Sequence, residues 1–147
     1  MLVATDLGPA SEAAVDRAIK LARGLDARLL VVSVIDARKL RLPGGPFSAR
    51  IDQVREEREE AVVAIVAQAR GAGVPARSLV WEGDAGESIV EAAVAEAADM
   101  IVVGTHGRGS VGRFLLGSVS EHVVRHAPVP VLVVRPSIPS PPVRQPG

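Results

Sequence analysis

The chain has no cysteine and no tyrosine, and its 147 residues include only two phenylalanines and one tryptophan. Without cysteine there is no disulfide framework, no thiolate metal cluster and no cysteine nucleophile. Three aromatic side chains are too few for the stacking platform of a single-strand nucleic-acid binder. The 48% hydrophobic fraction therefore predicts an aliphatic core.

Net charge and long apolar runs are also missing. The 17 basic side chains are balanced by 17 acidic ones, so no basic surface predicts nucleic acid as a partner. Apolar runs such as residues 29–35 fall far short of the roughly 18 to 20 residues that span a bilayer. The first residues, with Asp6 among them, do not read as a secretory signal. We therefore expect a cytoplasmic protein with neither a membrane nor a nucleic-acid partner.

Short aliphatic runs without polar alternation recur along the chain, and helical patterns separate them. Such runs are typical of strands covered on both faces, as in a parallel sheet between two layers of helices. Strands are predicted at residues 2–5, 29–35, 78–81, 100–103 and 131–134, and helices at 11–25, 51–70, 87–97 and 119–126. In the first helix the predicted apolar stripe comprises Ala14, Ala18, Leu21, Ala22 and Leu25.

Three segments either interrupt this alternation of strands and helices or have an unusual composition within it. Residues 36–50 are predicted as a long, turn-rich connection. The charged block at 55–60 predicts a solvated helix face, with an interaction surface as the alternative. Residues 1–136 are expected to form one domain, and the proline-rich residues 137–147 a disordered tail, although a PxxP ligand remains an alternative for that tail.

The glycines of residues 104–117 follow directly after a predicted buried strand. Glycine lets backbone N–H groups approach a ligand closely, and a helix beginning near Ser118 would point its free N–H groups at an anion such as phosphate. A P-loop is excluded, because the chain has no Gly-Lys pair. The GxGxxG match at 107–112 follows the fourth strand, and Leu132, about twenty residues on, is no ribose-binding acid. We interpret that match as a decoy.

The remaining pattern, Gly104-x2-Gly107-x9-Gly117-Ser118, resembles the ATP-binding branch of the universal stress protein family. Further segments share the resemblance, which covers roughly residues 2–136: residues 2–6, 34–36, 82–84, 115–120 and 130–134. The chain departs from the family at residues 7–9, Leu-Gly-Pro, where the family often carries an aromatic residue or glycine and then serine. That departure leaves open whether a serine near the first helix contacts the ligand, and Ser11 is an alternative residue for capping that helix.

The resemblance implies an α/β fold of the adenine nucleotide α-hydrolase type. Its open five-stranded parallel sheet has the order 3-2-1-4-5, with two helices on each face. In such a sheet a ligand binds at the carboxyl ends of the first and fourth strands, where the strand order reverses. The resemblance also implies ATP or another adenine nucleotide with Mg²⁺ as the ligand, and a homodimer formed through the edge strand Val131–Val134.

The resemblance further implies roles for individual residues. Backbone groups after the fourth strand and at the start of the last helix would face the phosphates, Asp6 would reach a ribose hydroxyl or a phosphate-bound Mg²⁺, and Val34 would meet the adenine edge. Arg108, and with it Arg113, would add positive charge. The candidate binding residues are Asp6, Val34, Gly104, His106, Gly107, Arg108, Gly117, Ser118 and Val119.

Several alternatives remain open. Asp6 could instead cap the first helix, and His122 and His126 have a metal-ligand spacing, although surface histidines are the preferred interpretation. The predicted function is a nucleotide-dependent stress-response regulator with unknown protein partners. The alternatives are a dimeric interaction module that binds no nucleotide and a slow ATPase, for which no dedicated base is visible. A transferase or hydrolase using adenylate chemistry would carry a serine- and glycine-rich loop after the first strand, and residues 5–9 are not such a loop.

Overall fold

The computed structural model describes residues 1–40, 47–105 and 116–136 of the chain. In these ranges strands and helices alternate, with a short 3-10 turn at Ala37–Lys39. The elements are β1 (Leu2–Ala4), α1 (Pro9–Gly24), β2 (Leu29–Ile35), α2 (Phe47–Gly71), β3 (Ala76–Glu82), α3 (Ala85–Ala95), β4 (Ile101–Gly104), α4 (Ser118–His126) and β5 (Val131–Val134). Residues 137–147, predicted as a tail, lie outside the described residues.

The strands form one parallel sheet in the order β3-β2-β1-β4-β5, as predicted. The central strand β1 pairs with β2 on one side and with β4 on the other, and Val3 lies opposite both Val31 and Val102. The chain therefore winds outward in one direction as far as β3 and then returns to the centre to continue through β4 to β5. The carboxyl ends of β1 and β4, the point of this reversal, mark where a ligand site is expected in a sheet of this type.

Both faces of the sheet are covered by helices, which explains why the strands have aliphatic side chains without alternation. Alternate residues of each strand enter two separate aliphatic cores. The core under α1 and α2 includes Val3, Val15, Val31, Val62 and Val102. The core under α3 and α4 includes Leu2, Leu30, Ile89, Ile101 and Val123.

Helix α1 differs from its prediction in its start and in its buried stripe. It begins at Pro9, two residues before the predicted start, because proline fits the first helical position, where no intrahelical N–H bond is needed. The buried stripe includes Val15 and Ile19 beside the predicted alanines. The prediction for Leu25 was wrong: this residue follows the last helical residue and is 59% exposed.

The connection at 36–50 is shorter than predicted, because the 3-10 turn covers its beginning and α2 already starts at Phe47. Helix α3 begins at Ala85, two residues earlier than predicted, since the Asp84 side chain accepts a hydrogen bond from the Glu87 N–H and caps the helix. Nowhere in the described part of the chain is there a helix with the length and apolar character that a bilayer crossing requires.

Candidate functional site

A cleft of about 330 Å³ opens at the carboxyl ends of β1 and β4, where the strand order reverses. Its walls are largely aliphatic and include several polar side chains. The apolar lining includes Ala4, Val32, Val34, Ile89, Val103 and Val119, and the polar side chains are those of Thr5, Asp6, Ser11, Thr105 and Ser120. Such a mixture suits a ligand with an apolar part and a polar or charged part.

Three helices begin at this cleft. Pro9 and Ala10 of α1, Ala85 of α3 and Val119 of α4 all line it. The first N–H groups of a helix have no intrahelical acceptor, and the helix dipole places partial positive charge there. In α4 the capping position is held by Gly117, whose lack of a side chain leaves the first N–H groups uncapped by a side chain. The arrangement favours an anionic group in the cleft.

Asp6 is held in position by the loop that joins β1 to α1. Its Oδ1 atom accepts hydrogen bonds from the Gly8 N–H at 2.8 Å and from the Ser11 hydroxyl at 2.8 Å. The Ser11 hydroxyl also lies 3.0 Å from the Thr5 hydroxyl. Asp6 is not the capping residue of α1, because Gly8 occupies that position. The alternative that Asp6 caps the helix is therefore wrong, and its carboxylate stands exposed at the cleft rim.

Gly104 ends β4, and its missing side chain has a packing reason. A Cβ atom at this position would lie 2.6 Å from the carbonyl oxygen of Ala10, a contact that real Cβ atoms do not make. The glycine thus lets α1 approach the sheet at the cleft. Its own carbonyl oxygen accepts a 2.6 Å hydrogen bond from the Ser120 hydroxyl, which ties the start of α4 to the end of β4.

At the other end of the cleft lies Val34, paired in register with Trp81 of β3. Arg38 lies in the 3-10 turn after β2, and its side chain links the end of β2 to the start of α3 by hydrogen bonds. Its guanidinium binds both carboxylate oxygens of Asp36, at 3.0 and 3.1 Å, and Oδ2 of Asp84 at 2.7 Å. The hydrogen bonds from Arg38 hold the pKa of Asp36 below its ordinary value. The pKa of Asp84 is also lowered, first by the Glu87 N–H and then by Arg38.

The structure brings most of the described candidate residues to one place. Asp6, Val34, Gly104 and Val119 line the cleft, and Gly117 and Ser118 directly precede Val119 at the start of α4. His106, Gly107 and Arg108 lie outside the described residues, so their predicted roles stay predictions.

Among the cleft residues that sequence reasoning did not assign to the site are Thr5, Ala85, Ile89 and Ser120. A signal existed for Ser120, since its Ser-Val-Ser segment opens the last helix directly after the spaced glycines. Ala85 and Ile89 belong to α3, whose start was predicted two residues too late.

The two histidines of α4 contact each other. The rings of His122 and His126 stack with their centroids 4.1 Å apart, and His126 Nδ1 lies 2.9 Å from the His122 carbonyl oxygen. In residues 1–40, 47–105 and 116–136, no group of three or more histidine, aspartate or glutamate side chains could hold a metal ion.

Fold and cleft together define a class of protein: an open, doubly covered parallel sheet whose strand reversal carries a cleft suited to an anionic ligand. Comparison with known proteins gives the family within this class. The model of the universal stress protein family matches residues 1–135, and the chain belongs to this family.

Individual relatives agree with this assignment. A universal stress protein of Thermus aquaticus is 44% identical over 124 residues, which are 84% of this chain and 87% of the relative. A crystal structure of a family member from Burkholderia pseudomallei is 33% identical with a TM-score of 0.74, and the match covers 92% of this chain and 94% of that one. A universal stress protein solved in complex with cAMP is 29% identical with a TM-score of 0.65, covering 92% and 95%.

Proposed function

We propose that this chain binds an adenine nucleotide, ATP with Mg²⁺, in the cleft at the strand reversal, and that occupancy of the cleft regulates its interactions in a stress response. The observation that carries the proposal is that three helix N-termini and Asp6 all line one largely aliphatic cleft. The similar protein in complex with cAMP supports the choice of an adenine nucleotide.

The proposed binding mode assigns one chemical role to each end of the cleft. The phosphates lie at the start of α4, where the backbone of Gly117 and Val119 and the Ser118 hydroxyl donate to them. The base lies against Val34, and Asp6 takes the ribose hydroxyl or the phosphate-bound Mg²⁺. His106, Gly107 and Arg108 would complete the phosphate site from the adjoining segment. Binding, rather than turnover, is the proposed activity, and slow hydrolysis stays an alternative.

Calorimetric titration with ATP, ADP, AMP and cAMP tests this proposal. We expect a dissociation constant well below 1 mM for at least one of these nucleotides. In a Gly117→Val variant the added branched side chain stands where the phosphates would lie, so nucleotide affinity should fall at least tenfold while the thermal unfolding of the free protein changes little.

Gly24→Ala is the control for this variant, because a Cβ atom at position 24 meets no atom within 4 Å and the position lies at the far end of α1. It should bind like the unchanged protein. Absence of binding for all four nucleotides would favour the second candidate function, a dimeric interaction module with an empty cleft. Equal affinity in the Gly117→Val variant would place the nucleotide elsewhere.

We also propose that the chain forms a homodimer through β5. Strand β5 lies at the edge of the sheet, and its four residues are only partly buried. An aliphatic edge strand is usually covered by another chain, and a second copy of β5 would cover it symmetrically.

A further inference from the structure

A buried polar cluster extends from the cleft lining to the sheet face covered by α1 and α2. It consists of Thr5, Ser11, Ser33 and Arg58, and we call it the Arg58 cluster. Thr5, Ser11 and Ser33 are 6%, 5% and 0% exposed in a layer that is otherwise aliphatic. Burial of polar groups is costly unless they are hydrogen-bonded, and each of these hydroxyls has a hydrogen-bond partner.

Arg58 of α2 is the charged member of the cluster. It is half-buried, and its Nη1 atom donates a 2.8 Å hydrogen bond to the Ser33 hydroxyl in β2. A hydroxyl is neutral and does not balance the guanidinium charge. Burial lowers the pKa of Arg58, and the negative charge of Asp6 acts in the opposite direction. Geometry places the two charges near each other: Thr5 lies beside Ser33 in the sheet, since the Thr5 N–H donates to the Val32 carbonyl at 2.9 Å, and Asp6 directly follows Thr5. The negative charge of Asp6 therefore favours this half-buried cation.

The other end of the cluster fixes the position of Asp6. Ser11 donates to the Asp6 carboxylate and lies within hydrogen-bond distance of Thr5, whose hydroxyl accepts a 3.0 Å bond from the Leu7 N–H. Arg58 itself does not line the cleft, since Ser33 points to the α1 and α2 face while its neighbours Val32 and Val34 line the cleft on the other face. Arg58 therefore does not contact a ligand in the cleft, and it acts on the ligand by offsetting the negative charge of Asp6.

An anionic ligand in this cleft lies near the negatively charged Asp6 carboxylate. The two like charges repel each other unless a cation offsets them. We propose that Arg58 is a positioning residue that offsets the Asp6 charge from behind the sheet, so that an anionic nucleotide binds with less dependence on a divalent cation. The inference rests on the proposed nucleotide function and adds to it the cation that balances the site. It predicts that removal of Arg58 makes binding more dependent on Mg²⁺.

The test compares ATP in excess EDTA, ATP with saturating Mg²⁺, and uncharged adenosine, each titrated calorimetrically into the protein. In an Arg58→Gln variant, ATP affinity in EDTA should fall about tenfold, as expected for the loss of one nearby unit charge in a protein environment. With Mg²⁺ the loss should be clearly smaller, because the metal replaces the missing charge. Adenosine affinity should not change, and Arg58→Lys should restore most of the affinity in EDTA.

Arg55→Gln is the matched control. Arg55 lies three positions before Arg58 on the same helix, but pairs with Glu82 at 3.0 Å, so its removal should leave all three affinities unchanged. Equal losses for ATP, Mg²⁺-ATP and adenosine in Arg58→Gln would indicate a merely structural role and overturn the inference, as would an unchanged dependence on Mg²⁺.

Two further outcomes are distinguishable. If the unchanged protein binds no nucleotide, the proposed function is wrong, and the inference that rests on it is wrong as well. If Arg58→Gln does not fold, as judged by circular dichroism, the same titrations are made with Ser33→Ala, because this variant removes the hydroxyl that accepts the hydrogen bond from Arg58. A smaller loss confined to EDTA supports the inference in that variant, and an unaltered dependence on Mg²⁺ overturns it.

Discussion

Gly104 shows how one residue can serve the packing of the fold beside the binding site. Because the Ala10 carbonyl lies 2.6 Å from the place of its Cβ, Gly104→Ala forces α1 away from β4. We expect the free energy of unfolding to fall by about 1–3 kcal/mol, as for other overpacked sites. Denaturation by urea, followed by circular dichroism, measures this loss.

The same control glycine separates this effect from a general response to alanine. Gly24→Ala adds a Cβ to open space at the last residue of a helix, and should keep or slightly raise stability, since alanine is the better helix former. If Gly104→Ala unfolds at the same urea concentration as the unchanged protein, the packing role of Gly104 is contradicted.

The sequence analysis singled out Gly104 for a different reason, namely that a glycine lets backbone N–H groups approach a phosphate closely. A phosphate nest and a close helix both require glycine after a strand, so the residue type alone could not separate the two, and only the distance to Ala10 reveals the second. Arg58 and Ser33 were not predicted as a pair, because they are 25 positions apart in the chain and no local spacing joins a residue of α2 to one of β2.

At the scale of single elements, the capping of α3 by Asp84 joins helix stability to pH. Oδ1 of Asp84 accepts from the Glu87 N–H at 3.1 Å and Oδ2 accepts from Arg38 at 2.7 Å. Asp84→Ala removes both bonds, and we expect a loss of about 1 kcal/mol at pH 7, the usual cost of a lost cap. Thermal unfolding monitored at a series of pH values measures it.

The sign of the pH dependence follows from the lowered pKa of Asp84. Its contribution is fully present above the unfolded pKa of 3.8 and is lost as the pH falls through the folded value below it. The stability difference between the unchanged protein and Asp84→Ala should therefore shrink below pH 3.8. Asp84→Asn keeps a capping side chain without the charge, and should lie between the two at pH 7. A difference that persists undiminished in acid would contradict the account.

Element types were predictable because the aliphatic runs are unambiguous, whereas element ends depend on single contacts. Proline at the start of α1 and the Asp84 cap of α3 each moved a helix start by two residues. The stripe of α1 was partly misplaced because its periodicity admits neighbouring positions. Which of them faces the sheet is decided by packing, and Val15 and Ile19 are buried where Leu25 is exposed.

At the scale of the whole molecule, the parallel α/β class followed from the residue pattern, but the strand order came from the family resemblance. Local patterns do not say that β4 returns to pair with β1, because this pairing joins residues about a hundred positions apart, such as Leu2 and Ile101. Once that order is known, two features follow together: the cleft at the reversal and the position of β5 at the edge.

The proposed dimer can be tested at single backbone groups of β5. The carbonyl oxygens of Pro130 and Val134 accept from Ile101 and Thr105 N–H groups of the β4 side. In a parallel ladder the intervening odd residues, Val131 and Val133, then direct their N–H groups away from β4. A Val133→Pro variant removes an outward N–H and adds a ring at the edge, while the pairing with β4 can persist.

We expect the unchanged protein to sediment as a dimer at micromolar concentration and Val133→Pro to sediment as a monomer with the same far-ultraviolet circular dichroism. Val63→Ala is the control, because it removes an apolar side chain that is 58% exposed on α2, which packs over β2 and β3 at the opposite side of the sheet. It should remain a dimer. The proposal fails if the unchanged protein is monomeric at this concentration, or if Val133→Pro folds and dimerises as before, since either result would mean that the aliphatic edge of β5 is not covered by a second copy of this chain.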